Sequence, residues 1–171
     1  MLPPSDQFSV LETRKRLTPL HVIGVSLISA VVIFALIAWM EATAGATSGN
    51  ILMILRFAWG GLAISELPMK FILRQAMLGR AVLLRRNVPQ TGAATSINEA
   101  VFAIFRGWSI LALAIPESLA LFGCVILLLS GEALDGLLVV APVLAMLAVF
   151  PTGNRWEAFN QLVNDRAVLP R

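Results

Sequence analysis

The chain is 171 residues long, the scale of a single domain. Hydrophobic residues make up 58% of it and charged residues only 13%, with a mean hydropathy of +0.83. Soluble domains carry roughly 25% charged residues, so this composition excludes an ordinary water-soluble domain and predicts lipid as the solvent. The net charge of +3 is carried by basic residues placed between apolar runs, a pattern of membrane orientation and not of nucleic-acid binding. The single cysteine, Cys124, lies in an apolar run and excludes an intrachain disulfide.

Residues 1–19 form a polar tail ending near Arg14-Lys15-Arg16. Within it, Asp6 to Leu17 suits a short interfacial helix with Phe8 and Leu11 on one side. The first span covers about 20–40, apolar and uncharged, with Trp39 at its far end where aromatic belts sit. Basic residues, an apolar run and Ala42-Thr43-Ala44 imitate a signal peptide. The run is longer than the usual 7–15 residues, however, and Asp6 and Glu12 precede it, so a retained span is expected.

The loop from Glu41 to Asn50 has no Lys or Arg, and the second span follows over about 51–72. Arg56, Trp59, Ala63, Glu66 and Lys70 recur at steps of three and four and therefore share one helical face. Glu66 and Lys70 stand in the favourable order for a helical ion pair, and Lys70 can snorkel toward the headgroups. Gly60-Gly61 and Pro68 loosen this helix. Residues 74–95 read as a basic helical extension followed by a loop; Arg74, Arg80, Arg85 and Arg86 are expected first to fix topology, and they are also candidates for anionic lipid headgroups.

Ser96-Ile-Asn-Glu99 is a capping box, so the third helix is expected to start there and run on through a span over about 107–129. Glu117, directly after Pro116, sits near the middle of that span. A carboxyl group at the bilayer centre costs about 2.5–3.5 kcal/mol on insertion scales, so such groups face a bundle interior and find a partner. Ser130 to Asp135 forms a short acidic turn, and a short fourth span over about 136–151 carries Pro142. Pro151 stops it, and a second capping pattern, Asn154 with Glu157, opens a C-terminal amphipathic tail over 154–171. Trp156, Phe159 and Val163 would rest on the lipid surface.

These elements predict an all-α polytopic membrane protein of four transmembrane helices. All the basic clusters fall on one side, so both termini are expected to be cytoplasmic, in a multi-pass inner-membrane protein. At 1.5 Å per residue, Glu66 and Glu117 differ in depth by only about 5–7 Å. Both are candidates for binding an ion or proton, with Arg56 and Lys70 as charge partners. The bundle is expected to hold an Arg56–Glu117 and a Glu66–Lys70 arrangement, or alternatively to keep Glu117 protonated, the form that desolvation favours. The same residues also suit a buried polar lock that only fixes helix register.

The segment Ala114-Ile-Pro-Glu117-Ser-Leu-Ala-Leu-Phe-Gly123 resembles the ion-carrying helix of the ring proteolipids of rotary ATP synthases. By that resemblance Glu117 would be the ion-binding carboxylate. The match covers about a tenth of the chain, and a fourth span after the carboxylate helix departs from a two-helix proteolipid. Over its whole length the chain looks like the small four-span bacterial membrane proteins that carry a Glu in span three, a resemblance that brings no activity with it.

No enzymatic constellation emerges, and neither a metal nor another cofactor is expected. His21 stands alone at the edge of span one, where it suits an interfacial residue better than a ligand. Small residues four apart, such as Ser26/Ala30 and Ala114/Ser118, let helices approach closely. The expected role is therefore a non-enzymatic accessory or structural subunit packed in a membrane complex. Its partners would be the bilayer, other membrane subunits or further copies of itself. The alternative is a proton- or ion-handling protein that uses Glu117.

Overall fold

The structure, a computed structural model, describes residues 10–42, 49–87 and 94–168. It is all-helical, with no strand among the described residues: α1 (Val10–Glu41), α2 (Gly49–Asn87), α3 (Ala94–Ser130), α4 (Leu137–Ala148) and α5 (Gly153–Val168), plus a 3-10 turn at Ala133–Gly136. Three helices are long and apolar enough to cross a membrane, and the bent pair that runs from the 3-10 turn and α4 into α5 adds a fourth if it counts as one span.

Helix α3 is the axis of the molecule, touching α1, α2, α4, α5 and the 3-10 turn. Its sequence explains this, because small residues (Ala112, Ala120, Gly123, Cys124) and large ones (Leu113, Leu119, Ile126, Leu127) together fill its buried surface. A Cβ on Gly123 would stand 2.6 Å from the backbone oxygen of Leu138, so only glycine lets α3 and α4 approach this closely. Gly131 ends α3 at φ 65°, and its N–H donates to the Leu127 carbonyl at 2.9 Å, a left-handed cap that turns the chain toward α4.

Two cores stack along the bundle. One joins α1, α3 and α4 through Val31, Ala38, Ala120, Cys124, Leu127 and Val139. The other lies at the end where the basic residues gather and joins α1, α2, α3 and α5 through Leu17, Leu20, Leu78, Val101, Phe105 and Trp156. Trp156 meets Phe102 and Phe105 edge-on, with ring centroids 5.0 and 5.4 Å away.

This second core changes one expectation, and the helix bounds adjust two more. Trp156 and Val163 are buried in it and Phe159 packs against it, so the C-terminal segment docks on the other helices instead of lying on a lipid surface. The tail's amphipathic pattern alone does not say which apolar body covers it. Helix α1 runs unbroken through Pro19 from Val10, with no separate short helix within its described residues; the start of that expected segment, and Phe8 with it, lies outside the described residues. Helix α3 starts at Ala94, two residues before the expected start at Ser96, and Glu99 pairs with Arg16 of α1 at 3.2 Å.

The fourth apolar helix is shorter than the expected 136–151 segment. It spans only Leu137–Ala148, and the chain turns by 64° into α5. Thr152 caps α5: its Oγ accepts from the Arg155 N–H at 3.4 Å and its carbonyl accepts from the Trp156 N–H at 3.1 Å. His21 fastens the turn to α1, donating from Nε2 to the Pro151 carbonyl at 2.7 Å and stacking on Phe150 at 5.5 Å. Gly24, one helical turn further along, leaves the space for that ring, since a Cβ there would lie 2.7 Å from it.

Candidate functional site

The polar face expected on α2 is real as a row of positions, but its members serve three separate places. At the end of the bundle away from the basic residues, Arg56 reaches the acidic turn after α3. Its Nε donates to Oδ1 of Asp135 at 2.9 Å and its Nη2 to Oδ2 at 2.7 Å, a two-point fork on one carboxylate. Nη2 also meets Oε2 of Glu132 at 2.7 Å. The expected Arg56–Glu117 pairing is therefore corrected. Two carboxylates at the level of the guanidinium capture it, at no cost of reaching toward the bundle centre.

The Asp135 side chain is only 7% exposed. That burial pushes its carboxyl up, but hydrogen bonds from Arg56 and Ser130 and the charge of Arg56 outweigh it and hold the group below its ordinary 3.8. The turn's own backbone contributes too, since Ser130 Oγ accepts from the Glu132 N–H at 3.1 Å. In the sequence the turn is acidic and α2 carries an arginine. No local signal joins two positions 79 residues apart.

Further along α2, Trp59 donates from Nε1 to the Leu119 carbonyl at 2.9 Å, tying α2 to α3. Glu66 and Lys70 form an ion pair one turn apart, both side chains largely covered. Glu117 lies on α3, half-buried, and has no hydrogen-bond or ion-pair partner among the described residues. Glu117 and Glu66 are not brought into one cluster with a shared cation, and among the described residues no group of three His, Cys, Asp or Glu side chains could hold a metal ion.

The arginines of the basic extension divide in the same way. Arg85 donates to Oδ1 of buried Asn98 on α3. Arg86 donates to the last carbonyls of α5, Arg166 at 2.7 Å and Ala167 at 3.2 Å, where a cation also complements the helix dipole. For these two, a purely headgroup role is corrected, because their guanidinium groups lock α2 to α3 and α5. Arg74 and Arg80 are both exposed, and Arg74 also lines an open cavity.

That cavity, of about 420 Å³, lies between α2, α3, the α4–α5 turn and α5. Lys70 and Arg74 enter it from α2 and Arg155 from α5, while Phe71, Phe105 and Trp108 supply apolar wall. Arg155 also donates to the carbonyl of Ala148, the last residue of α4. Among the described residues no carboxylate lines the cavity. The sequence contained a signal for half of it, because Lys70 and Arg74 are one turn apart. The contribution of Arg155 depends on the 64° bend that folds α5 back.

Comparison of the chain with protein-family models, with curated proteins and with solved structures gave no match.

Proposed function

We propose that the protein is a four-span component of the bacterial inner membrane, with both ends cytoplasmic, and that it acts as a non-enzymatic subunit packed against other membrane subunits or copies of itself. The supporting observation is the outward face of the apolar helices. Ile33, Leu36, Phe57, Ile64 and Leu67 are each more than half exposed, and Leu52 is the only buried residue in the stretch of α2 from 51 to 72. Soluble monomers rarely expose contiguous apolar patches beyond a few hundred Å². A bilayer accepts such a face, and a helix this lightly covered also has room for a second subunit.

The test is fractionation followed by stoichiometry. The protein should stay with membranes through alkaline carbonate washing, and native mass spectrometry from nanodiscs should show a complex larger than one chain. Release by carbonate would remove the membrane reading. A strictly monomeric particle at every lipid ratio would remove the subunit reading alone.

The partnerless carboxyl of Glu117 favours a second reading. An uncompensated carboxylate at mid-span is expensive, so Glu117 is either met by a neighbouring chain or carries a proton or ion, as its likeness to the ring proteolipid helix suggests. Infrared titration of proteoliposomes distinguishes the two. A carboxyl band that responds to pH or sodium and vanishes in Glu117→Gln supports ion handling. A band that never changes excludes it.

A further inference from the structure

We infer that the cavity between α2, α3 and α5 is a seat for the phosphate-bearing headgroup of an anionic phospholipid, an inference that rests on the membrane reading. Three cations from two elements far apart in sequence, Lys70, Arg74 and Arg155, line one space, and no carboxylate lines it among the described residues. Like charges gathered this way repel each other, and an anion brought from outside relieves the repulsion. The inside supplies only part of that relief. Lys70 is paired with Glu66 and one donor of Arg155 goes to the Ala148 carbonyl, but Arg74 has no partner among the described residues. An arginine has five N–H donors in a fork that fits phosphate oxygens, so Arg74 and the remaining donors of Arg155 can both address one phosphate group.

The rest of the wall argues for an amphiphile over a bare ion. Phe71, Trp108 and Phe159 line the same space, and Trp108 stands where the apolar run of α3 begins, the level at which aromatic side chains meet headgroups. The volume of about 420 Å³ lies within the range of small-molecule sites. Basic pockets between helices on the cytoplasmic side take up anionic lipid headgroups by this combination of charge and depth.

The experiment uses the full-length chain in neutral-detergent micelles doped with phosphatidylcholine and phosphatidylglycerol, with retained lipids counted by native mass spectrometry. Wild type should keep phosphatidylglycerol in preference to phosphatidylcholine. Arg74→Gln should weaken that retention about tenfold, the loss of one charge-assisted hydrogen bond, and Arg74→Lys should restore part of it. Arg80→Gln removes the same charge from the same helix outside the cavity and should bind like wild type. Equal weakening by Arg74→Gln and Arg80→Gln, or no preference for the anionic lipid, would overturn the proposal in favour of diffuse attraction. Complete displacement by millimolar inorganic phosphate would reassign the seat to the free anion and overturn the lipid assignment. A chain that stays dissolved in detergent-free buffer would refute the membrane reading itself, and sedimentation before any lipid is added shows this separately.

Discussion

Arg56 and Asp135 show what one side-chain pair does to a helical bundle. Their fork holds the start of α2 to the turn between α3 and α4, and Asp135 would be left buried and charged without it. Arg56→Gln should therefore lower stability by about 1–3 kcal/mol, kept below the full cost of breaking a buried pair because the arginine side chain is 37% exposed. Reversible unfolding in mixed micelles measures this, and a loss within error would show that the fork contributes nothing net. The pH dependence follows from the depressed carboxyl. A group whose folded pKa lies below its unfolded value stabilises fully above the unfolded value, and the contribution disappears as pH falls through the folded one. The unfolding midpoint should thus hold steady at neutral pH and drop below the ordinary 3.8, with a smaller drop in Asp135→Asn.

At the scale of elements, close approach and docking set the architecture. Gly123→Ala pushes a methyl group against the Leu138 backbone, which cannot rotate away, so α3 and α4 must separate. Such overpacking costs about 1–3 kcal/mol. The expected result is a lower unfolding midpoint, with Ser118→Ala on the exposed side of α3 as a neutral control. Helix α5 is held by Trp156 in the aromatic cluster and by Arg86 on its last carbonyls. Trp156→Ala should cost about 3–5 kcal/mol locally and expose α5 first, seen as loss of amide-exchange protection over 153–168 while α3 stays protected. Uniform loss through all helices would mean that α5 does not dock as a separate unit.

Across the whole molecule, the basic clusters and the acidic turn lie at opposite ends of the bundle, and membrane orientation is the property this distribution predicts. In a Cys124→Ala background, Leu134→Cys and Glu157→Cys, both on exposed positions, should label from opposite sides of sealed vesicles. Labelling from the same side would rule out the proposed topology. Composition and periodicity made the helices, their approximate apolar stretches and the polar row on α2 legible, because apolar length and helical repeat are written locally. The burial of Trp156 and Val163 was not legible, since an amphipathic helix has the same pattern whether its apolar side meets lipid or protein.

The sequence alone determined an all-helical chain with several apolar runs long enough for a membrane, carboxyls at Glu66 and Glu117 within two of them and a strong segregation of basic residues. Only the tertiary structure decided who meets whom. Asp135, and not Glu117, takes Arg56; His21 and Gly24 receive the α4–α5 turn; Arg155 joins Lys70 and Arg74 at one cavity. The physical reason is range. Hydropathy and helical repeat act within a few turns of the chain, whereas ion pairing and packing depend on distances in space that the bends at Gly131 and Pro151 create.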